Sequence, residues 1–241
     1  MKKKRHLFRN FIVLVLLGLL GYLGYYIYNE SDVFIIKNVE IMGNIMISES
    51  DIEKFIVDDN LHYFKSNQYD LKERLETYPK IKDCAITKVF PDGLSIIITE
   101  RLPVVAIHYS EQYLLVDEEL YVVEVANDPR SFYVINGYSF DDFNIGYQMK
   151  DDHRYILKNA INLALLAMYS ELENTEIEIV DKKIEVSLSD TLKAKFGDGD
   201  NIESRFSNMI EVYFEITKNN NPSGVIDVSH DGLPVFQPFE E

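Results

Sequence analysis

The chain is poor in cysteine and in basic residues. Its 241 residues include one cysteine, which excludes a disulfide framework and any metal or iron–sulfur site built from several cysteines. Lys and Arg number 24 against 40 Asp and Glu, so the formal net charge is −16 and the sequence pI is near 4.7. Because contacts with phosphate groups need clustered Lys and Arg, this balance argues against a nucleic-acid-binding protein.

The sequence also lacks the patterns of common catalytic centres. Its five histidines form no HxH or HExxH pair, no Ser-x-x-Lys occurs, and no glycine-rich loop suited to phosphate is present. Paired carboxylates for acid–base catalysis remain an open alternative in so acidic a chain, although most acidic residues form a solvated surface. We predict a protein that is not an enzyme and that binds no cofactor, metal ion or small-molecule substrate.

Two features are weak candidates for chemistry. Asp198 and Asp200 lie in a Gly-rich turn, where two carboxylates suit calcium. A helix N-cap at Asp200 or Asn201 explains the same turn more simply. Cys84 falls on the inward-facing positions of an extended segment, so a small core residue is favoured over a reactive thiol.

The charge is distributed unevenly along the chain. Residues 1–9 carry five basic residues and no acidic one, which gives +5, and residues 10–29 carry no charged residue. From Glu30 to the end, 19 basic residues stand against 40 acidic ones, which gives −21. The chain therefore consists of a basic leader, an uncharged segment and a strongly acidic remainder.

The uncharged segment predicts a helix that crosses a membrane. Its 20 residues extend roughly 30 Å as a helix, about the thickness of one hydrocarbon core. A cleaved signal peptide is the alternative, but its apolar core is shorter and ends in small residues, whereas this segment ends in tyrosines: Tyr22, Tyr25, Tyr26 and Tyr28. Because basic residues stay on the cytoplasmic side, residues 1–9 are predicted to be cytoplasmic and the C-terminal domain extracytoplasmic.

The first part of the acidic remainder has a β-α-α-β-β pattern. Residues 34–41 alternate as a strand, and capping-box spacings at Ser48 and Ser50 predict a helix that runs to about residue 60. A second helix is predicted from near Asp70 until Pro79 ends it. The turn Pro91-Asp92-Gly93 joins two extended segments, residues 81–90 and 94–106, as a hairpin.

The second part is richer in short strands. Strands are predicted at residues 112–116, 121–125, 132–135, 176–180, 183–188, 191–196 and 225–228, of which the fourth to sixth form an antiparallel meander. Helices are predicted at residues 152–172 and 202–218, and a proline-broken tail follows the last strand. The predicted fold class is α+β: a transmembrane helix, the β-α-α-β-β module, and a mixed α+β domain with an antiparallel sheet and two helices.

A series of different short motifs runs along both parts of the chain. They are Val39-x-Ile41-x-Gly43-Asn44, Pro79-x-Ile81, Phe90-Pro91-Asp92-x-Leu94, Glu100-Arg101-x-Pro103-Val104, Leu115-Val116-Asp117, Ile135-Asn136-Gly137 and Ile226-Asp227-Val228-Ser229. The series resembles the FtsQ/DivIB family of bacterial cell-division proteins over nearly the whole chain. Its most specific part is the Glu-Arg-x-Pro-Val block that follows a Phe-Pro-Asp-x-Leu turn. The motif positions are Gly43, Pro79, Phe90, Pro91, Glu100, Arg101 and Pro103.

The resemblance implies a domain organisation. Residues 1–9 would form the cytoplasmic leader, residues 10–29 the transmembrane helix and residues 33–106 a POTRA domain. Residues 107–230 would form the family's β-rich domain, and residues 231–241 a C-terminal tail.

The resemblance also implies a function. The protein would be a non-enzymatic scaffold at the division septum that binds FtsL- and FtsB/DivIC-type bitopic membrane proteins and helps regulate septal peptidoglycan synthesis. Binding of the FtsB/DivIC-type partner would occur by strand addition, and the residues implied are Val225, Ile226, Asp227, Val228, Ser229 and His230.

Two other functions remain as alternatives. A POTRA-bearing export or assembly component would need a membrane β-barrel, and no series of alternating lipid-facing strands follows residue 106. An anchored cell-wall enzyme would need a catalytic centre that the motifs do not supply.

Overall fold

The structure is a computed structural model that describes residues 2–56, 61–140, 142–150, 152–170, 172, 175–218, 222–230 and 232–239, with the backbone alone for residues 2–8 and 30. It divides into two compact units. The first contains Met1–Thr77 and Ile81–Glu100, and the second contains Tyr78–Lys80 and Arg101–Glu241.

The first unit begins with a long helix, α1, at Lys2–Glu30. Its segment Arg9–Asn29 has a mean hydropathy of 2.0, none of it is buried within the protein, and it is long and apolar enough to cross a membrane. At its end, the Ser31 hydroxyl donates a hydrogen bond to the Ile27 carbonyl oxygen at 2.6 Å. A short 3-10 helix, Asp32–Phe34, follows directly.

The rest of the first unit packs two helices against a three-stranded sheet. Its elements are β1 at Asn38–Met42, α2 at Glu49–Ile56, α3 at Gln68–Glu76, β2 at Ile81–Val89 and β3 at Gly93–Glu100. The central strand β3 pairs in parallel with β1 and antiparallel with β2. Ser48 caps α2, because its hydroxyl accepts the Asp51 N–H, and Asn67 caps α3 by accepting the Tyr69 N–H.

Two sequence expectations need correction in this unit, and a third falls on residues outside those described. The strand expected from residue 34 begins at Asn38, because Asp32–Phe34 forms a 3-10 turn and Ile35 makes only an isolated bridge to His62. The extended segment expected over residues 94–106 is two strands, because β3 ends at Glu100. The described part of α2 ends at Ile56, and residues 57–60, where its end was expected, lie outside the described residues.

The second unit is built on a nine-stranded sheet with two helices. Its elements are β4 at Val105–Tyr109, β5 at Gln112–Val116, β6 at Val122–Ala126, β7 at Tyr133–Asn136, α4 at Arg154–Tyr169, β8 at Glu176–Val180, β9 at Lys183–Ser187, β10 at Leu192–Gly197, α5 at Ile202–Thr217, β11 at Gly224–Asp227 and β12 at Val235–Pro238. The strand order is β12-β11-β10-β9-β8-β7-β4-β5-β6.

The α+β fold class is confirmed, but the large sheet is mixed. The pairings β4–β7, β7–β8 and β10–β11 are parallel, and the other five are antiparallel. Two of the parallel pairings follow from chain path, because α4 connects β7 to β8 and α5 connects β10 to β11, and such a crossover returns the chain in the same direction. The expectation of an antiparallel sheet was therefore wrong at these pairings.

Both helices of the second unit pack into one apolar core with the sheet. Residues on the inner stripe of α4, such as Leu157 and Ile161, are fully buried, and Phe206 and Met209 of α5 join the same cluster. From the sheet, Ile226 of β11 and Phe196 of β10 are also fully buried in it. This core fixes the position of β11, the strand expected to bind a partner.

Candidate protein-interaction site

Strand β11 lies inside the large sheet. It pairs in parallel with β10, with Ala194 opposite Ile226, and antiparallel with β12, with Phe236 opposite Ile226. Ile226 is fully buried and Val228, just after the strand, is 3% exposed, whereas Val225 and Asp227 on the other face are half-buried. Both backbone edges of the strand expected to accept a partner are therefore already paired.

Strand β12 forms the outer edge at this end of the sheet. The sequence reading treated residues 231–241 as a tail, yet residues 235–238 pair with β11 along their length, and the Phe239 N–H extends the pairing to the Ser223 carbonyl oxygen at 3.1 Å. Among the described residues, no strand pairs with the other side of β12. A partner strand could add here without displacing anything, whereas direct addition to β11 requires β12 to leave.

The hydrogen bonds around β11 show to which side the backbone N–H and C=O groups of β11 and of residues 234–239 point. The Gly224 and Val228 N–H groups donate toward β10, to the carbonyl oxygens of Thr191 and Lys195. The Phe239 N–H donates toward β11. Because backbone direction alternates along a strand, residues 235, 237 and 239 face β11 and residues 234, 236 and 238 face away from it.

The outward side of this edge offers very few donors. Pro234 and Pro238 have no N–H, so Phe236 supplies the one outward N–H of residues 234–238. The carbonyl oxygens of all three outward residues remain as acceptors. Proline is tolerated in a sheet where its nitrogen faces solvent at an edge. The edge therefore accepts a short, defined pairing rather than an extended one.

Exposed apolar side chains accompany the edge. Leu233 is 86% exposed, Val235 41% and Phe239 52%, while Phe236 is half-buried and packs against the core. A partner strand that pairs with Phe236 would cover these side chains, and backbone pairing combined with apolar contacts is the usual basis of strand addition.

A tight turn follows β11. The Asp227 carboxylate accepts hydrogen bonds from both the N–H and the hydroxyl of Ser229, at 2.9 and 2.7 Å. Burial opposes ionisation of this carboxyl, but the Ser229 hydrogen bonds and the nearby charges of His230 and Lys195 outweigh it and hold its pKa below the usual value. Ser229 is half-buried and His230 is exposed, so these expected site residues shape the turn that leads into β12.

Arg205 of α5 organises the loop beneath β11. It is 9% exposed, and its Nη1 donates to the Phe196 carbonyl oxygen at 2.6 Å and to Oδ1 of Asp198 at 3.1 Å. The Asp198 carboxylate also accepts the Asp200 N–H, which, with Arg205, holds its pKa below the usual value despite some desolvation. The loop considered for calcium is thus organised by an arginine, and the part of the chain that the structure describes has no group of three metal-ligating side chains.

The motif residues Gly43 and Glu100 hold the loop after β1. Gly43 has a φ of +83°, and a Cβ there would lie 2.2 Å from the Ile98 carbonyl oxygen, so the position requires glycine. The Glu100 carboxylate accepts the N–H groups of three successive residues, Ile45, Met46 and Ile47, at 2.7 to 2.9 Å. Their roles are structural and lie within the first unit.

Arg101, the next motif residue, makes its side-chain contacts within the second unit. Its Nη1 donates to Asp117 at 2.8 Å and to Glu119 at 3.2 Å, and its guanidinium lies 3.5 Å from the centre of the Tyr121 ring. The Asp117 carboxylate also accepts the N–H groups of Glu119 and Tyr121. Arg101 therefore fixes the turn between β5 and β6.

The remaining expected positions lie apart from the edge strand. Pro103 is buried just before β4, and Pro79 packs against Gly146 within the second unit. Phe90 and Pro91 form the turn between β2 and β3, joined by a cis peptide bond, and Phe90 is 65% exposed. Cys84 is 2% exposed, and burial raises the pKa of its thiol to about 11, as expected of a core residue.

Two functional features were missed by sequence reasoning. Strand β12 was hidden by its two prolines, although the Asp231-Gly232 pair before it is a recognisable hairpin signal. Arg205 falls in the apolar stripe of α5, three residues after Ile202 and four before Met209, so a lone charge on an inward face was the available signal.

Comparison with known proteins agrees with this architecture. Residues 34–101 match the family described as "POTRA domain, FtsQ-type". A Clostridium botulinum protein named cell division protein DivIB is 26% identical over 211 residues, covering 84% of this chain and 81% of the relative. DivIB proteins of Clostridium acetobutylicum and Clostridium tetani are 26% and 23% identical, each over 84% of this chain and over 82% and 78% of their own length. The chain thus contains an FtsQ-type POTRA domain and is similar to DivIB cell-division proteins over most of its length.

This similarity to DivIB proteins supports a role in cell division. The first unit carries the FtsQ-type POTRA domain, and the family is generally non-enzymatic. The apolar helix α1 together with the similarity to DivIB proteins indicates a single-pass membrane protein.

Proposed function

We propose that the chain is a non-enzymatic scaffold of the division machinery at the septum. It is anchored by α1, with residues 1–9 in the cytoplasm and everything that follows α1 on the outer side of the membrane. It binds FtsL- and FtsB/DivIC-type bitopic partners and thereby helps regulate septal peptidoglycan synthesis. The orientation is supported by the five basic residues before α1 and the excess of acidic residues after it.

The observation that carries the binding proposal is the open edge of β12. The outward Phe236 N–H, flanked by Pro234 and Pro238, and the exposed Val235 and Phe239 are what a short partner strand needs. In this proposal the partner adds beside β12, and the residues expected from the sequence, 225–230, act by holding β12 in register and shaping the turn before it.

The proposal also takes account of the acidity of the ectodomain. The ectodomain carries a net charge of −21, so bulk charge disfavours contact with anionic wall polymers. Selectivity must then come from specific pairing at an edge rather than from a general electrostatic attraction. Apolar side chains at the β12 edge, where Leu233 is 86% exposed, provide that kind of contact.

The test compares two substitutions at one position. Phe236→Pro and Phe236→Ala both remove the ring, but only the proline variant also removes the outward N–H. Ile226→Pro is unsuitable because the Ile226 N–H faces β10 and its side chain is fully buried. The full chain in lipid nanodiscs is titrated with the ectodomain of a DivIC-type partner, and binding is measured by interferometry.

We expect Phe236→Ala to weaken binding and Phe236→Pro to abolish it, with unchanged hydrogen exchange at β11 in both variants. Equal binding by the two variants would show that the β12 backbone is not used. Full binding by both would place the partner site away from β12, and no binding of the unaltered chain to the DivIC-type partner would overturn the proposed function.

A further inference from the structure

The proposed partner site leaves unused an aromatic cluster in the first unit. This juxtamembrane cluster consists of Tyr28, Phe34, His62, Tyr63, Phe64 and Phe90. The Phe34 ring lies 5.0 Å from the Phe64 ring and 6.0 Å from the Phe90 ring, centre to centre, and Tyr63 lies 5.0 and 5.6 Å from the same two rings. The rings therefore form one contiguous group rather than isolated surface residues.

The cluster exposes much of its apolar surface. Phe90 is 65% exposed and Phe64 48%, and two flanking valines, Val33 and Val89, are 53% and 51% exposed. Contiguous exposed apolar surface of this kind marks a binding surface for a partner or a membrane. The Val89–Phe90 pair is held in place, because the following Asp92 carbonyl accepts the Lys37 N–H at 2.9 Å.

The cluster begins at the end of the apolar helix. Tyr28 is the penultimate residue of the segment Arg9–Asn29, and its ring lies 6.0 Å from His62 and 5.5 Å from Phe64. Lys65 donates to the Asn29 side-chain oxygen at 2.9 Å and lies 5.9 Å from the centre of the Tyr28 ring. The segment around residues 62–65 thus lies at the depth where α1 leaves the hydrocarbon core, which is where aromatic rings and lysines concentrate in membrane proteins.

Cations surround the cluster in an otherwise acidic domain. Lys65 and Lys37 are exposed, and Lys88 lies 5.8 Å from the centre of the Tyr63 ring with its amine donating to the Tyr63 carbonyl oxygen. Among the side chains that the structure describes, acidic neighbours include Asp32, in the 3-10 helix, and Asp92, whose carboxylate accepts the Asn38 amide at 3.2 Å. Exposed rings with lysines at their border suit the lipid headgroup layer, with its anionic phosphates and its adjacent apolar chains.

We propose that Phe64 and the Val89–Phe90 turn insert into the headgroup layer of the membrane that α1 spans. The POTRA domain then has a second contact with lipid, besides its covalent link to α1, and this contact restricts its rotation about the end of the helix. The inference rests on the proposed membrane anchoring, and the occupant of the surface is a phospholipid bilayer rather than a protein.

The chain contains no tryptophan, so one substitution gives a single tryptophan that can be excited selectively over the 16 tyrosines. Phe90→Trp and Phe64→Trp place it in the cluster, and Leu16→Trp places it within α1. Ile45→Trp is the matched control, because Ile45 belongs to the same unit and is 78% exposed. The Phe90 turn lies beside the first residue of β1, whereas Ile45 comes after its last residue, and these two ends are roughly 13 Å apart along the strand. Each full-length variant is reconstituted into phosphatidylcholine–phosphatidylglycerol vesicles whose acyl chains carry bromine near the glycerol end or near the methyl end.

We expect Phe90→Trp and Phe64→Trp to be quenched by bromine near the glycerol end, with emission shifted to shorter wavelength. Leu16→Trp should be quenched more strongly by bromine near the methyl end, and Ile45→Trp by neither lipid. If both cluster tryptophans behave like Ile45→Trp while Leu16→Trp is quenched, the lipid contact is wrong and the anchor stands. If Leu16→Trp is also unquenched, the membrane anchoring itself is wrong, and the lipid contact falls with it.

Discussion

Nη1 of Arg101 donates a hydrogen bond to Oδ2 of Asp117 at 2.8 Å, and the two side chains are 10% and 4% exposed. Asp117 uses its other oxygen for the N–H groups of Glu119 and Tyr121, at 2.9 and 2.8 Å. One enclosed carboxylate therefore connects the start of the second unit to the turn between β5 and β6. Removing it leaves two backbone donors without their acceptor and leaves Arg101 with only the weaker bond to the more exposed Glu119.

Asp117→Ala should destabilise the second unit by about 3–5 kcal/mol, the usual cost of breaking a buried ion pair from one side. Glu119→Ala, at the more exposed partner of Arg101, should cost under about 1 kcal/mol. Urea denaturation of the full chain in detergent micelles measures both. Similar losses of unfolding free energy for the two variants would mean that the buried Arg101–Asp117 pair stabilises the unit no more than the exposed Arg101–Glu119 pair.

Glu100→Gln should loosen the loop after β1. The substitution removes the negative charge that all three N–H groups face, and it replaces Oε2, which accepts the Met46 N–H, by an amide that cannot accept; Oε1, which accepts from Ile45 and Ile47, remains as a neutral carbonyl oxygen. Hydrogen bonds to charged groups contribute about 1.5–3 kcal/mol, so exchange of these amides should accelerate about tenfold to a hundredfold. Hydrogen exchange read by NMR checks this, and the exposed Glu40→Gln is the control that should leave the three amides unchanged.

Gly43→Ala should destabilise the POTRA domain by about 2 kcal/mol or more. An alanine must adopt a φ near +83° and displace the Ile98 carbonyl oxygen, which a Cβ would approach to 2.2 Å. Gly24→Ala, in α1 where nothing lies within 4 Å of the added Cβ, should be close to neutral. Thermal unfolding of the full-length variants distinguishes them, and equal midpoints would contradict the assigned constraint.

Alkylation of Cys84 should be slow near neutral pH and should accelerate only as the pH approaches 11. Burial raises the pKa of its thiol to about 11, so the reactive thiolate is scarce at pH 8. At that pH the rate with iodoacetamide should be about a hundredfold or more below that of a free cysteine. Mass spectrometry follows the reaction, and the same reaction in urea should be fast; rapid labelling of the folded chain would contradict the core assignment.

Much of the fold could be predicted from local patterns. The strand at Glu176–Val180 has the bounds expected from its period-two alternation, and the α5 helix begins at the expected Ile202. The turn at Phe90-Pro91-Asp92-Gly93 lies between β2 and β3 as expected, because fixed and permissive backbone residues define turns locally. Whether a segment forms a helix, a strand or a turn could therefore be predicted wherever the residues that determine it lie within a few positions of one another in the sequence.

The candidate site could not be predicted in the same way. Whether β11 is an edge depends on which strand lies beside it, and its neighbours β10 and β12 are separated from it by a helix and by a turn. The signal of β12 was also weak, since Pro234 and Pro238 oppose a strand interpretation unless the strand is known to be an edge. Likewise, the role of Arg205 depends on the Phe196 carbonyl, which only the tertiary structure brings to it.

The two prolines around Phe236 also bear on self-association. Copies of a protein anchored in one membrane meet often, and open sheet edges can join copy to copy into growing aggregates. The β12 edge of each copy has a single outward N–H over residues 234–238, so two β12 edges can exchange few hydrogen bonds. A partner with a regular strand can still donate its own N–H groups to the outward carbonyls. If a partner adds at β12 as proposed, the same edge would admit that protein while discouraging a second copy of itself.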